Sequence, residues 1–90
     1  MEFNWDNRKA ATNLKKHKIS FQEAATVFND PMALTFDDPD HSIGECRLLT
    51  FGMTDSQKLI IVSHTEANSI IRIISARLMD KHERKIYENG

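Results

Sequence analysis

The 90-residue sequence has one cysteine, two prolines and three glycines. A single cysteine, Cys46, excludes an internal disulfide and a clustered zinc site. No stretch approaches the roughly 18 apolar residues needed to span a bilayer. Residues 1–6 lack the charged start and apolar middle of a signal peptide. We therefore expect a cytoplasmic protein that does not contact a membrane.

The size and composition of the chain are those of one small globular domain. Its apolar fraction is 40% and its charged fraction is 28%, which excludes a disordered chain. The sequence shows no repeat, linker or low-complexity tract. We expect residues 1–90 to form one domain with a thin hydrophobic core.

Charge is unevenly distributed along the chain, although the net charge is only −1. Residues 1–28 and residues 67–90 each carry five Lys or Arg against three acids, whereas residues 29–66 carry two against seven. If the two ends meet in the fold, they form a basic surface that can attract phosphates. The alternative is that both ends are helices with solvated charged faces.

Three helices are predicted, each after a side chain that can cap its first turn: residues 7–17 after Asp6, 21–29 after Ser20 and 81–89 after Asp80. Ser20 and Asp80 are each followed three residues later by a glutamate, which is the capping-box pattern. Four segments rich in β-branched and apolar residues predict strands at 32–36, 47–52, 58–65 and 70–75. Short links between them favour an antiparallel sheet. We expect an α+β fold with two N-terminal helices, a four-stranded antiparallel sheet and a C-terminal helix.

Two arginines stand in the otherwise apolar segment Ile70-Ile71-Arg72-Ile73-Ile74-Ser75-Ala76-Arg77. A guanidinium binds phosphate oxygens bidentately and stays charged, so Arg72 and Arg77 are candidates for phosphate binding. The alternative for Arg72 is a structural ion pair, with Glu45 or Glu66 as partner. The alternative for Arg77 is a solvated position at the end of a strand.

His64 and Glu66 are two residues apart at the end of the most apolar strand, so strand alternation puts both on one face. An imidazole beside a carboxylate can transfer protons near neutral pH. The alternative for His64 is a hydrogen-bonded residue at a sheet edge. Glu45 and Arg47 also share a strand face and can form a plain salt bridge.

Other candidate contacts to a substrate are on the predicted helices. Lys9, Lys16 and His17 lie in the first helix, where a cation near the C-terminus also stabilises the helix dipole. Tyr87 can contact a phosphate or base, or it can be a core aromatic. No group of His, Cys or acidic residues has a spacing typical of a metal site, and we expect no cofactor.

The sequence resembles the BrnT family over nearly its whole length. The motifs that carry the resemblance are, in order, Phe3-Asn4-Trp5-Asp6 with Lys9, Asn13 and Lys16-His17, then Ile19-Ser20-Phe21-Gln22-Glu23-Ala24, Phe28-Asn29-Asp30-Pro31, Asp40-His41-Ser42, Glu45-Cys46-Arg47, His64-Thr65, Ile71-Arg72-Ile73-Ile74-Ser75-Ala76-Arg77, and Glu83-Arg84 with Tyr87. Lys18 departs from the pattern, since the family usually has glycine there, and a different turn is expected if that glycine is left-handed. Leu78-Met79 also replaces a more polar stretch.

The resemblance implies a RelE-like α+β fold and the activity of a metal-independent endoribonuclease toxin that inhibits translation and growth. It also implies a cognate BrnA-type DNA-binding antitoxin, usually in a 2:2 complex, through which alone the toxin reaches operator DNA. Mapped onto this sequence, Arg72 and Arg77 would stabilise the phosphate, and His64 or Glu66 would transfer protons. The remaining site residues would be Glu45 and Arg47 in support, with Lys9, Lys16, His17 and Tyr87 binding RNA.

A second class of function stays open at this point. The net charge of −1 also suits a non-catalytic module that acts as a corepressor or scaffold for a DNA-binding partner. Substitution of Arg72 or Arg77 separates the two classes. An enzyme would lose growth inhibition and keep its partner, whereas a scaffold would lose neither or would lose binding.

Overall fold

The computed structural model describes residues 1–42 and 44–90, which fold into helices packed on both faces of a single sheet. The strands are β1 Glu2–Trp5, β2 Leu34–Asp37, β3 Leu48–Met53, β4 Leu59–Ala67 and β5 Ile70–Leu78. The helices are α1 Asn7–His17, α2 Phe21–Ala25 and α3 Lys81–Asn89, and short 3-10 helices span Thr26–Asn29 and Pro39–His41. None of the helices described is long and apolar enough to cross a membrane.

The sheet has five strands in the order β1-β5-β4-β3-β2, so the predicted four-stranded antiparallel sheet is wrong in one respect. The four predicted strands are present and pair antiparallel, but β1 adds a fifth strand parallel to β5. β1 has four residues, and its partners begin at Ile70. A strand this short, paired with the far end of the chain, has no local sequence pattern that reveals it.

Both long helices begin where the sequence predicts. The Asp6 carboxylate accepts hydrogen bonds from the first turn of α1, and Asp80 and Glu83 form a complete capping box on α3. The second predicted helix is shorter, because the α-helix ends at Ala25 and continues as 3-10 helix to Asn29. Lys18 itself adopts the left-handed conformation, with φ 62°, and caps α1. The turn at Lys18 is therefore left-handed without a glycine.

The two faces of the sheet are covered differently. On one face, α1 and α2 pack over a core formed by β1, β4 and β5, in which Phe21, Ile60 and Val62 are fully buried. On the other face, Ile86 and Tyr87 of α3 pack against a smaller cluster that includes Phe51 and Ile61. α3 therefore protects only part of its face from solvent.

Asn13 hydrogen-bonds to the edge of β5 beyond Ile73, where the pairing with β1 ends. Its side chain accepts a hydrogen bond from the Ala76 backbone N–H at 3.0 Å and donates one to the Ile19 carbonyl at 2.9 Å. Asn13 is 5% exposed, so these groups are satisfied away from water. This contact fixes α1 against the second half of β5, which also carries Arg77.

Candidate functional site

A β-bulge in β5 brings Arg72 and Arg77 to the same face of the sheet. The two residues are five positions apart, and strict alternation would place them on opposite faces. The pairing with β4 shifts at Ile74, so that Arg72 lies opposite Thr65 and Arg77 lies opposite Ile61. Thr65 and Ile61 are four positions apart in β4 and therefore share a face. The bulge therefore sets the relative position of the two arginines.

The surface between the arginines is polar and open. Ser75 lies between them on β5, and Ser63 is its partner on β4. Arg72, Ser75 and Arg77 are exposed, and α3 packs over the opposite half of this sheet face. We call the surface formed by Arg72, Ser75, Arg77, Ser63 and Thr65 the arginine face. It presents guanidinium and hydroxyl groups to solvent.

Arg77 is held by a bidentate ion pair with Glu83, at the start of α3. Its two terminal nitrogens donate to the two carboxylate oxygens at 2.7 Å each. The Arg77 guanidinium lowers the pKa of Glu83 to about 2, and the backbone N–H of Asp80 adds to the effect. Glu83 thus stays ionised and fixes the orientation of Arg77.

Arg72 has a neutral partner instead of a carboxylate. Its Nη1 donates to the Asn4 side-chain oxygen on the neighbouring β1 at 3.1 Å. Among residues 1–42 and 44–90, no carboxylate lies within ion-pair distance of Arg72. The predicted alternative, a structural ion pair with Glu45 or Glu66, is therefore wrong. Arg72 therefore makes no ion pair among the described residues. The pKa of the nearby Asp6 carboxyl is lowered mainly by the backbone N–H groups of Lys9 and Arg8, and the charge of Arg72 adds to this effect.

His64 lies on the opposite face of the sheet, inside the core under α2. It is completely buried, its Nε2 is 2.7 Å from the Thr50 hydroxyl, and its ring meets Phe28 edge to face. Burial lowers the pKa of His64 to about 4, because the charged imidazole is poorly solvated there. His64 is therefore a neutral core residue at physiological pH.

Glu66 shares the face of His64, as strand alternation predicts, and not that of the arginines. Its carboxylate is half exposed and lies 3.8 Å from the His64 Nδ1, which is too far for a hydrogen bond. The His64 Nδ1 has no hydrogen-bond partner among the described residues. The structure therefore separates the proposed proton-transfer pair from Arg72 and Arg77 by the thickness of the sheet.

Glu45 and Arg47 lie in the segment that leads into β3. They form an ion pair with a 3.6 Å separation, and Glu45 is largely exposed. The Arg47 backbone carbonyl accepts from the Asp38 N–H, so strand pairing with the β2 side extends to Arg47. This agrees with the plain salt bridge that the sequence left as an alternative.

The cations of α1 lie beside the arginine face. Lys9, Lys16 and His17 line a groove of about 300 Å³ together with Ile74 and Ser75 of β5. Ser75 therefore belongs both to this groove and to the arginine face. The groove lined by the α1 cations thus borders the arginine face at Ser75, although α1 itself packs on the opposite face of the sheet.

Tyr87 contacts Asp30 and does not form part of the arginine face. Its hydroxyl donates to the Asp30 carboxylate at 2.7 Å, and its ring packs in the cluster under α3. Burial and the Asp30 charge raise the pKa of Tyr87 to about 12. Tyr87 occupies the core position that the sequence gave as the alternative to an RNA contact.

Sequence reasoning missed the residues that position the arginines. Asn4 was assigned to no element, although it lies next to Arg72 once β1 is paired with β5. Glu83 was interpreted as a helix-capping residue, and it serves the Asp80 cap and Arg77 together. Its position six residues after Arg77, at the start of a predicted helix, was the available signal.

The geometry favours binding of an anionic, extended ligand on the arginine face. The Arg72 and Arg77 backbone positions are about 13 Å apart along the strand, so their side chains can contact from two sides a chain that crosses at Ser75. Residues 1–42 and 44–90 contain no group of three or more His, Cys, Asp or Glu side chains arranged to hold a metal ion.

Comparisons with known proteins point to one family. A family model described as "Ribonuclease toxin, BrnT, of type II toxin-antitoxin system" matches residues 5–83. The crystal structure of the Brucella abortus ribonuclease toxin BrnT is similar, with a TM-score of 0.70 and 24% sequence identity, over 90% of this chain and 99% of that chain. This likeness shows a shared fold. A search of curated proteins gave no match.

Proposed function

The chain belongs to the BrnT family of ribonuclease toxins of type II toxin-antitoxin systems, and we propose that it is an endoribonuclease that binds its RNA on the arginine face. The observation that carries the proposal is the bulge in β5, which brings Arg72 and Arg77 together on an open surface with Ser75 between them. Cleavage of RNA in this proposal inhibits translation and growth.

The proposed chemistry is stabilisation of charge at the phosphate that is cut. Attack by the 2′-oxygen on phosphorus forms a 2′,3′-cyclic phosphate and breaks the bond to the 5′-oxygen, while solvent water takes the 2′ proton and protonates the 5′-oxygen. Negative charge crowds onto the phosphate oxygens during this step, and fixed guanidiniums placed there lower the barrier. Arg72 is the principal group, because its charge has no carboxylate partner among the described residues. Arg77 is the second, oriented by Glu83. In this proposal the arginines supply the positive charge that a metal ion supplies in other nucleases.

Proton transfer is not assigned to His64 or Glu66 in this proposal. Both lie on the face opposite to Arg72, and His64 is buried and neutral. Glu83 is the acid hydrogen-bonded to the arginine face, and its pKa of about 2 makes it a positioning residue for Arg77. The mechanism rests on phosphate binding and charge stabilisation.

The groove along α1 extends the proposed RNA path. Lys9, Lys16 and His17 would bind backbone phosphates of the strand after it passes Ser75. These contacts would add affinity without sequence preference.

We also propose that a BrnA-type antitoxin neutralises the protein, in a 2:2 complex, and that operator DNA is reached only through this antitoxin. Membership of a type II toxin-antitoxin family supports an antitoxin partner. The binding surface on this chain is left open in the proposal.

Growth of cells that express single variants tests this function. Expression of the wild type should arrest growth, and Arg72→Ala should abolish the arrest while the variant still co-purifies with the antitoxin. Arg84→Ala is the matched control, since Arg84 is exposed and lies beside Gln57 and Leu59 at the far end of β4. Arrest by Arg72→Ala equal to that of the wild type would refute the role of the arginine face. If Arg72→Ala lost both growth arrest and antitoxin binding, the result would favour the corepressor alternative.

A further inference from the structure

An exposed aromatic ring lies on the same sheet face as the arginines and has no role in the site described so far. Phe36, on the edge strand β2, is 43% exposed. An aromatic side chain this exposed loses the stabilisation that burial would give it. Its position relative to the arginines suggests a function.

The strand register connects Phe36 to the arginine face in one straight row. Phe36 pairs with Leu49, Leu49 pairs with Ser63, and Ser63 pairs with Ser75. These four side chains lie across four adjacent strands on one face, and the row ends between Arg72 and Arg77. Three strand spacings separate Phe36 from Ser75, or about 14 Å.

The ring of Phe36 is held in place from one side. It contacts Phe51 edge to face, with ring centroids 5.2 Å apart and an interplanar angle of 73°. Phe51 is buried in the cluster under α3, so Phe36 is anchored to the core while part of its ring faces solvent. A fixed, exposed ring binds a planar partner at low entropic cost.

We propose that Phe36 is a base-stacking site for a single-stranded segment of RNA, whose backbone crosses the sheet along the row to the arginines. This inference rests on the proposed function and adds a base contact to its phosphate contacts. Every nucleobase has a face that stacks on an aromatic side chain, so the contact tolerates sequence variation. The Leu49 side chain gives the row an apolar floor beside Phe36, and the serines and arginines give it a polar end. The row would therefore contact a base at its Phe36 end and a phosphate at its arginine end.

Equilibrium binding of a short, single-stranded 2′-O-methyl RNA labelled with fluorescein tests the inference, because this RNA cannot be cut by its own 2′-hydroxyls. Phe36→Ala should weaken binding about 5- to 150-fold. Phe36→Leu keeps an apolar contact with Phe51 and should also weaken binding, whereas Phe36→Trp should bind at least as tightly as the wild type. Thermal unfolding of each variant shows whether it is folded at the assay temperature.

A second series of oligonucleotides, each lacking the base at one position, locates the contact. Removal of one particular base should weaken binding to the wild type and have no effect on binding to Phe36→Leu. Equal losses in both proteins at every position would overturn the inference. A folded Phe36→Leu variant with wild-type RNA affinity would also overturn the inference. If that variant also failed to bind the antitoxin, Phe36 would be a protein contact instead.

The same assay separates this inference from the proposed function. Wild-type binding that is lost in Arg72→Ala but retained in Phe36→Ala refutes the base-stacking site alone. Failure of the wild type to bind RNA refutes the RNA-binding arginine face, and the stacking site with it.

Discussion

Acidification should destabilise the protein through His64, well above the pH at which carboxylates titrate. The His64 side chain is completely buried, and its pKa is about 4 in the folded protein compared with 6.5 in an ordinary environment. The unfolded chain therefore binds a proton between pH 6.5 and 4 that the folded protein excludes. Because the folded pKa is the lower one, stability falls as pH falls through this window.

The size of the effect follows from the two pKa values. Integration of the linkage relation between 6.5 and about 4 gives a loss of about 2 kcal/mol between pH 7 and 5, and about 3 kcal/mol between pH 7 and 4. For a domain of this size, that is a large part of the total stability, which is on the order of 5–10 kcal/mol.

Urea unfolding at several pH values measures the loss, with His64→Leu as the matched variant. Leu fills the site without a titrating group, and the Thr50 hydroxyl keeps its partner Thr35 at 2.9 Å. The free energy of unfolding of His64→Leu should change much less between pH 7 and 5. An NMR titration of the wild-type imidazoles gives a direct second readout. A His64 pKa near 6.5, or equal pH dependence in both proteins, would refute the buried, neutral assignment.

Three further predictions concern the elements that hold the site. Glu83→Gln should lower the free energy of unfolding by about 1–2 kcal/mol at neutral pH, which is the effect of a Glu83 pKa near 2 reduced for the 45% exposure of Arg77. In urea unfolding this difference should disappear as the pH falls from 4.5 towards 2, and a difference independent of pH would contradict the prediction. Asn13→Ala should cost about 2–3 kcal/mol of unfolding free energy, because the buried Ala76 N–H loses its acceptor, and a loss no larger than that at an exposed site would contradict the capping role. Lys18→Gly should stabilise the protein by about 0.5–1 kcal/mol, since φ is 62° there, and an unchanged or lower melting temperature would contradict it.

The sequence predicted those parts of the fold that depend on local patterns. The caps at Asp6 and Asp80 are side-chain contacts with the following turn, and both were identified from spacing alone. The strands β2 to β5 were identified with boundary differences of a few residues, because their apolar content is high. β1 was missed because its pairing with Ile70 and the following residues depends on the whole fold.

The candidate site was only partly accessible from the sequence, for the same reason. Arg72 and Arg77 were identified by their chemistry, but the bulge that places them on one face is a property of the pairing with β4. The position of His64 in a strand was predicted correctly. Its burial depends on Phe28, which packs on it from a distant part of the chain.

Cleavage of purified RNA by the purified protein in excess EDTA tests the central claim most directly. Wild type, Arg72→Ala and the control Arg84→Ala are compared on total RNA freed of ribosomes, and again with ribosomes added. We predict cleavage by the wild type and Arg84→Ala, and none by Arg72→Ala. Intact RNA with the wild type under both conditions, or equal cleavage by Arg72→Ala, would contradict the account.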